Sequence, residues 1–374
     1  MKLGVIGYGG RIKHVIKSIQ KEEPACVVQA IADIRPDVVV EGRAEGVAPV
    51  PVYRTPEEML AAEKLDGVLI GTRCSLHTEM ALKVLPTGIP LFLEKPVATT
   101  MEDARRLKAG YEAGKSRVVV SFPLRATSIV RLVKEIVDSG KIGTVEHVQA
   151  VNNVPYGGVY YHYWYRDERE TGGLFLQKAT HDFDYINYVL GLEPTHVCAM
   201  TSKQVFKGSK PAGLKCADCD ENRTCPDSTV YGPQKTANWE YCSFAEDTGN
   251  EDSGSALIRY ASGMHVSYSQ NFFARRSAGM RGARFIGYKG TIDFDFYTNE
   301  VKVTMHHAPR TETHRFESSQ DHFGGDAVLA RSFIGLMRGE SESVSPLEDG
   351  LASALLCLKA RESALTGTFQ TVEW

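Results

Sequence analysis

A short apolar run, Leu3 to Ile6, ends in Gly7-Tyr8-Gly9-Gly10, and a helical segment follows from about Arg11 to Gln20. Strand, glycine turn and helix in immediate succession constrain this chain most, because they open a βαβ unit. The alternation continues. Val27 to Ala32 is a second apolar run ending at Asp33, and Gly67 to Gly71, Ile89 to Leu93 and Val118 to Phe122 are further buried-strand candidates. Helix starts fall between them. In Thr55-Pro56-Glu57-Glu58, Thr55 is the N-cap, Pro56 takes the first helical position and Glu58 closes a capping box. Thr100-Met101-Glu102-Asp103 opens another helix, which Gly114 stops. The pattern predicts an α/β, doubly wound parallel sheet.

After Phe122 the period changes. A helix from about Ser128 to Ser139 ends at Gly140, and shorter alternating runs follow at Val145–Val151, Ala256–Tyr260, Met264–Ser269, Thr291–Phe296 and Val301–Met305. These predict a large, mostly antiparallel open sheet in an α+β unit. Ser345-Pro346-Leu347-Glu348 reads as a capping box for a helix running to Gly367, and Gln204 to Asn250 as a long irregular excursion. The 374 residues exceed what one core usually serves. The division predicted is 1–122, a nucleotide-binding unit, and 123–374, a substrate-binding and oligomerisation unit.

Composition serves mainly to exclude. A net charge of −3 gives no basic footprint for nucleic acid or an anionic membrane. The first strand begins at Lys2, leaving no room for a signal peptide, and no apolar stretch approaches the length of a membrane span. Eight cysteines without a secretory signal point to reduced thiols and a cytoplasmic address.

Gly7-x-Gly9-x-x-Ile12 lies between strand and helix, the context a dinucleotide fingerprint requires. Gly7, Tyr8, Gly9, Gly10, Arg11 and Ile12 are therefore candidate cofactor contacts, with the helix N-terminus facing the pyrophosphate. Ile12 replaces the third glycine, so helix–strand packing should be looser or rearranged there. Asp33 ends the second strand, where a carboxylate binds the ribose hydroxyls and repels a 2′-phosphate. NAD is favoured over NADP, although Arg35 lies close by. Thr72 and His77 follow the next strand and are placed to line the nicotinamide half, with a helix-surface histidine as the alternative for His77.

Glu94-Lys95-Pro96 closes the run Ile89 to Leu93. A buried strand has no packing reason to end this way, whereas one delivering an ammonium group to a cofactor does. Gln177 to Asp184 forms a second polar cluster on a segment read as helix to Gly191. Lys178 and His181, spaced i, i+3, should share a face beside the apolar stripe Phe183, Ile186, Val189 and Leu190. The ammonium should depress the imidazole pKa, keeping His181 neutral and able to take a proton. Tyr156 to Tyr165 holds five tyrosines and Trp164. Tyr163 and Trp164 could stack on a sugar, though aromatic runs also serve cores and subunit interfaces. Arg125, Arg166 and Asp184 are substrate-binding candidates, with surface salt bridges as the alternative for the arginines. Cys216-x2-Cys219-x5-Cys225 could hold zinc if Cys242, His196 or His265 completed the set, with free thiols as the alternative.

Gly7-Tyr8-Gly9, Asp33, Thr72 with His77, Glu94-Lys95-Pro96 and Gly172-Gly173…His181-x-x-Asp184 resemble, in order and spacing, the Gfo/Idh/MocA family of glucose–fructose oxidoreductase and inositol dehydrogenase. The resemblance covers essentially the whole chain. It implies a Rossmann domain followed by an α+β domain whose open sheet often mediates oligomerisation, here a dimer or tetramer. It also implies that Lys95 lies beside nicotinamide and substrate, and that His181 is a general acid or base. Gln177 stands where most relatives carry an aspartate, which is a departure. The function implied is NAD-dependent oxidation of a secondary alcohol on a sugar, inositol or glycoside. In it His181 takes the proton, Lys95 bonds the same oxygen and Lys178 stabilises the alkoxide. An NAD-dependent glycosidase working by transient oxidation and elimination, and a non-catalytic NAD-binding regulator, are the alternatives.

Overall fold

The computed structural model describes residues 1–35, 49–232, 236, 238–317 and 320–374. Six strands make the first sheet: β1 (Lys2–Ile6), β2 (Val27–Ala32), β3 (Val52–Tyr53), β4 (Gly67–Ile70), β5 (Leu91–Leu93) and β6 (Val118–Val120). Their order is β3-β2-β1-β4-β5-β6, with every pairing parallel. The winding reverses between β1 and β4, which opens a crevice at the carboxyl ends of those strands. The glycine turn and Thr72 both sit there. Of the six, β3 has only two residues, too few to give a periodic signal. At the helix Pro56–Ala62, Thr55 Oγ1 accepts the Glu58 amide at 3.3 Å, while the Glu58 carboxylate reaches the amide of Arg54.

Nine strands make the second sheet: β7 (Val145–Asn153), β8 (Pro194–Ser202), β9 (Ser253–Tyr260), β10 (His265–Asn271), β11 (Met280–Gly287), β12 (Gly290–Asp295), β13 (Glu300–Met305), β14 (Thr311–Arg315) and β15 (Gln370–Thr371). They run in the order β14-β13-β12-β11-β7-β10-β9-β8-β15. The β7–β10 pair is parallel and the others are antiparallel. One face packs on the helices Thr180–Leu190 and Leu347–Thr366 around Phe183, Tyr185, Tyr268, Phe285 and Phe294. The Ser345 capping box does not form. Pro346, extended at ψ 167°, takes the N-cap position and the helix starts at Leu347.

The helix Gly325–Arg338 returns to the first sheet. Its Leu329, Phe333 and Leu336 share a core with Ile12, Ile19, Leu69 and Phe92, and the Phe92 and Phe333 rings lie 5.7 Å apart. The stretch 204–250, whose residues 233–235 and 237 lie outside the described residues, has little regular structure. It packs Phe206 and Phe244 around Tyr161. Among the described residues, no helix is long and apolar enough to cross a membrane.

Candidate active site

Gly7 has φ +79°, and a Cβ there would lie 2.8 Å from the Thr72 backbone, so only glycine fits this approach of β1 to β4. Gly9 caps the helix Gly10–Glu22 with no side-chain hydrogen bond and no acidic residue in the first turn. Its first amides are thus free to face an anion. Ile12 is fully buried, and the expectation of loose packing is corrected by the neighbouring strand end. A Cβ on Gly71 would fall 2.6 Å from Ile12 Cβ, so the glycine that allows close helix–strand contact sits on the strand side instead. Asp33 Oδ2 accepts the Tyr8 amide and Oδ1 the Arg35 amide, each at 2.9 Å. A carboxylate held this way at the end of β2 keeps lone pairs for ribose hydroxyls. The glycine cradle, the uncapped helix and Asp33 together fit a dinucleotide.

Glu94-Lys95-Pro96 follows β5 and contains a cis Lys95–Pro96 peptide. His77, nearly fully buried, donates from Nδ1 to the Pro96 carbonyl at 2.8 Å, and Thr78 Oγ1 donates to Val97 O at 3.0 Å. The His77 ring anchors the turn that carries Lys95, while its Nε2 is left without a hydrogen-bond partner. Arg11 and Glu94 also bond within the protein rather than outward. Arg11 Nε donates to Glu94 at 2.9 Å, Nη2 to Asp326 at 2.7 Å and Nη2 to Ser121 at 3.1 Å. These bonds tie the first helix to the ends of β5 and β6 and to the returning helix. Thr72 stays partly exposed at the crevice edge.

Lys95 Nζ donates to the Gln177 carbonyl at 2.8 Å. The Gln177 side chain is buried and donates to Thr171 O at 3.0 Å. Residues Phe175–Ala179 form a π-helical turn leading into the helix Thr180–Leu190. Lys178 lies on that turn, so the α-helical i, i+3 argument linking it to His181 does not apply. Such turns are frequent at functional sites. Lys178 and His181 still meet electrostatically. His181 is buried, packs its ring edge-on against Phe122, and leaves Nδ1 without a hydrogen-bond partner. Burial first, then Lys95, Arg281, His322 and Lys178, hold the imidazole well below its usual range, so it is neutral and can accept a proton. Burial, Arg281 and Lys95 push Lys178 down to about 7, against a smaller opposing pull from Asp182.

Of Lys178 and His181, Lys178 is therefore the one placed to titrate near neutrality. Activity should fall as pH rises through about 7, and Lys178→Arg should flatten that limb in a kcat/KM profile. The stability consequence has the opposite slope. The unfolded chain binds an extra proton between about 7 and the ordinary lysine value of 10.5. The melting temperature of the wild type, relative to Lys178→Gln, should therefore rise across that window. A difference that is flat with pH would place the Lys178 ionisation elsewhere.

Arg281, on β11, completes the cationic wall. It is 6% exposed and donates from Nε to Asp182 at 2.8 Å, and its charge acts on Lys95, Lys178 and His181. Periodicity missed it because an arginine at a buried strand position reads as a break. The signal available was Asp182 itself, an acid inside an apolar stripe that needs a counter-ion.

Other candidates bond elsewhere. Arg125 donates from Nε to Asp184 at 2.8 Å and also reaches Asp349, and both members of the Arg125–Asp184 pair are almost fully buried. Their substrate role is corrected, since charges buried this far are each other's counter-ions. Arg166 is likewise buried, bidentate on Asp247 at 2.6 and 2.8 Å, so it fastens the 204–250 stretch. Trp164 is held between Tyr165, with ring centres 3.8 Å apart, and the Arg73 guanidinium, 4.3 Å from its ring. This places the aromatic segment over the loop after β4. Tyr163 is partly exposed next to it, and the Tyr160 ring lies 5.9 Å from Lys178 Nζ. All eight cysteines are free thiols, and among the described residues no three His, Cys, Asp or Glu side chains could hold a metal ion. The zinc reading of Cys216, Cys219 and Cys225 thus has no supporting geometry.

Residues 1–122 match the family model described as an oxidoreductase family with an NAD-binding Rossmann fold, and residues 130–293 match the GFO/IDH/MocA C-terminal domain. The chain belongs to the Gfo/Idh/MocA oxidoreductase family. Among curated Gfo/Idh/MocA relatives it is similar to the putative oxidoreductase YteT of Bacillus subtilis, 27% identical over 81% of each chain. It is also similar to myo-inositol 2-dehydrogenase of Thermotoga maritima, 27% identical over 57% of this chain and 62% of that relative. Among solved structures, a levoglucosan dehydrogenase in complex with NADH and levoglucosan has the same fold, with a TM-score of 0.79 at 19% identity over all of both chains.

Proposed function

We propose that this chain is an NAD-dependent dehydrogenase that oxidises a secondary alcohol of a sugar, inositol or related polyhydroxy compound. Residues 1–122 hold the cofactor and contribute Lys95, and residues 123–374 supply the other substrate groups. The observation that carries this reading is the meeting of Lys95, Lys178 and a neutral His181 with an unpartnered Nδ1. Gly7, Gly9, the first turn of the helix and Asp33 would hold NAD, which when bound supplies the hydride acceptor. His181 accepts the hydroxyl proton, Lys95 bonds the same oxygen and fixes its orientation, and Lys178 stabilises charge developing there. The names of the inositol and levoglucosan dehydrogenases support a polyhydroxy substrate. The reading includes a cytoplasmic location and self-association through the outer face of the second sheet, where Met200 and Leu257 are exposed.

Screening sugars, inositols and glycosides for absorbance at the NADH band tests this directly. Aglycone release without NADH accumulation would move the assignment to a glycosidase. Asp33 should make NAD bind more tightly than NADP, and Asp33→Ala should narrow the gap in a fluorescence titration. Equal affinities in the wild type would remove Asp33 from ribose recognition.

A further inference from the structure

Of the five tyrosines between Tyr156 and Tyr165, Tyr156 and Tyr161 use their hydroxyls inside the protein. Tyr161 donates to Glu251 O at 2.8 Å, and Tyr156 meets His162 Nε2. Tyr160 and Tyr165 differ. Neither hydroxyl has a hydrogen-bond partner among the described residues, and neither is closed off from solvent. Their backbones are nevertheless fixed. Asn250, fully buried, donates from Nδ2 to Tyr160 O at 3.0 Å and to Tyr165 O at 2.7 Å, and it accepts from Thr171 Oγ1 at 3.2 Å. The rings are held as well. They meet edge to face at 5.8 Å, with Phe272 5.6 Å from Tyr160 and Trp164 stacked 3.8 Å from Tyr165. A phenol immobilised before any ligand arrives loses little further freedom on binding one.

Both stand at the candidate active site. The Tyr160 ring lies 5.9 Å from Lys178 Nζ. The Cys74 thiol is within electrostatic reach of both phenols, with Arg281 also near Tyr160 and Glu94 near Tyr165. Cys74 is itself joined to the Lys95 turn: Gln177 Nε2 meets its sulfur at 3.3 Å, while the Gln177 carbonyl receives Lys95 Nζ. Burial above all holds both phenols above their usual pKa, so they stay neutral. Each can both donate and accept, which suits an alcohol and adds no charge beside Lys95, Lys178 and Arg281.

We infer that Tyr160 and Tyr165 are substrate-binding residues whose hydroxyls hold the substrate hydroxyls on carbons next to the oxidised carbinol. The inference rests on the dehydrogenase reading and deepens it. The substrate must carry free hydroxyls on those neighbouring carbons, and a deoxy compound leaves a phenol unpaired.

The test uses whichever of D-glucose, D-galactose and myo-inositol has the highest kcat/KM with NAD, together with its monodeoxy analogues. Tyr160→Phe and Tyr165→Phe, which delete only the hydroxyl, should each lower kcat/KM about tenfold, the scale of one hydrogen bond between neutral groups. In the wild type, an analogue lacking the hydroxyl next to the oxidised carbon should lose a similar factor. One of the two variants should then show no further loss with that analogue. Melting temperature and NAD affinity should not change, because neither hydroxyl bonds the protein. Unchanged kcat/KM in either variant, or losses that add fully for every analogue, overturns the inference and leaves the dehydrogenase reading in place. A lowered melting temperature with unaltered discrimination overturns it too, in favour of a structural role. If none of the three compounds is oxidised, the dehydrogenase reading is not supported and calorimetry of myo-inositol on the NAD-loaded protein decides the inference alone. Binding must then weaken about tenfold in each variant, and binding that is absent or equal overturns it.

Discussion

Lys95→Ala and His181→Ala should each lose about 10²–10⁴ in turnover, the usual effect of removing a positioned acid–base group, or roughly 3–5 kcal/mol of barrier. Both should keep NAD affinity. Lys95 hangs from a turn fixed by His77 and Thr78, and its Nζ bonds a carbonyl that remains when the side chain is removed. His181 makes no hydrogen bond through Nδ1 and contacts Phe122 only by its ring edge. Steady-state kinetics with a melting curve for each variant separates the outcomes. Near-normal turnover would take that residue out of the mechanism, and collapse of the fold would make its role structural.

Arg125→Ala should be among the most destabilising single replacements in the chain. It strands Asp184 inside the protein and removes a contact to Asp349. Breaking one member of a buried pair costs about 3–5 kcal/mol, roughly ten degrees of melting temperature in a chain of this size. Asp184 in turn holds the guanidinium strongly protonated despite its burial. Arg125→Met combined with Asp184→Leu should restore much of the loss, since apolar residues of similar volume often replace such a pair without penalty. Retained stability in the single variant would show that Arg125 is free to serve substrate after all.

The first sheet was legible because its strands are buried on both faces and read as unbroken apolar runs, while Thr55 and Thr100 announce helix starts by hydrogen bonds confined to one turn. The second sheet was legible where apolar and polar residues alternate, as in β9 and β10. It was hidden in β11, where Arg281 and two glycines break the pattern, and in the largely polar β14. The site divided along the same line. Residues placed by a backbone position, such as Gly7, Asp33 and Lys95, stand at the strand ends where their spacing put them. Roles that depend on long-range pairing did not. Arg11 finds Asp326, Arg125 finds Asp184 and Arg166 finds Asp247, partners 315, 59 and 81 residues away. No local pattern encodes such separations, and a lone arginine beside a glycine turn or an aromatic run resembles a ligand contact.

The returning helix also bears on how the chain is made. Until residues 325–338 leave the ribosome, Leu69 and Phe92 of the first sheet and Ile12 and Ile19 of the first helix lack Leu329 and Phe333 as cover. At ordinary synthesis rates that interval is on the order of ten to forty seconds. A fragment ending at residue 122 would keep this apolar face permanently and should aggregate or bind chaperones. Supplying Gly325–Arg338 on a tether should make the same fragment soluble, turning a late piece of sequence into the missing wall of an early one.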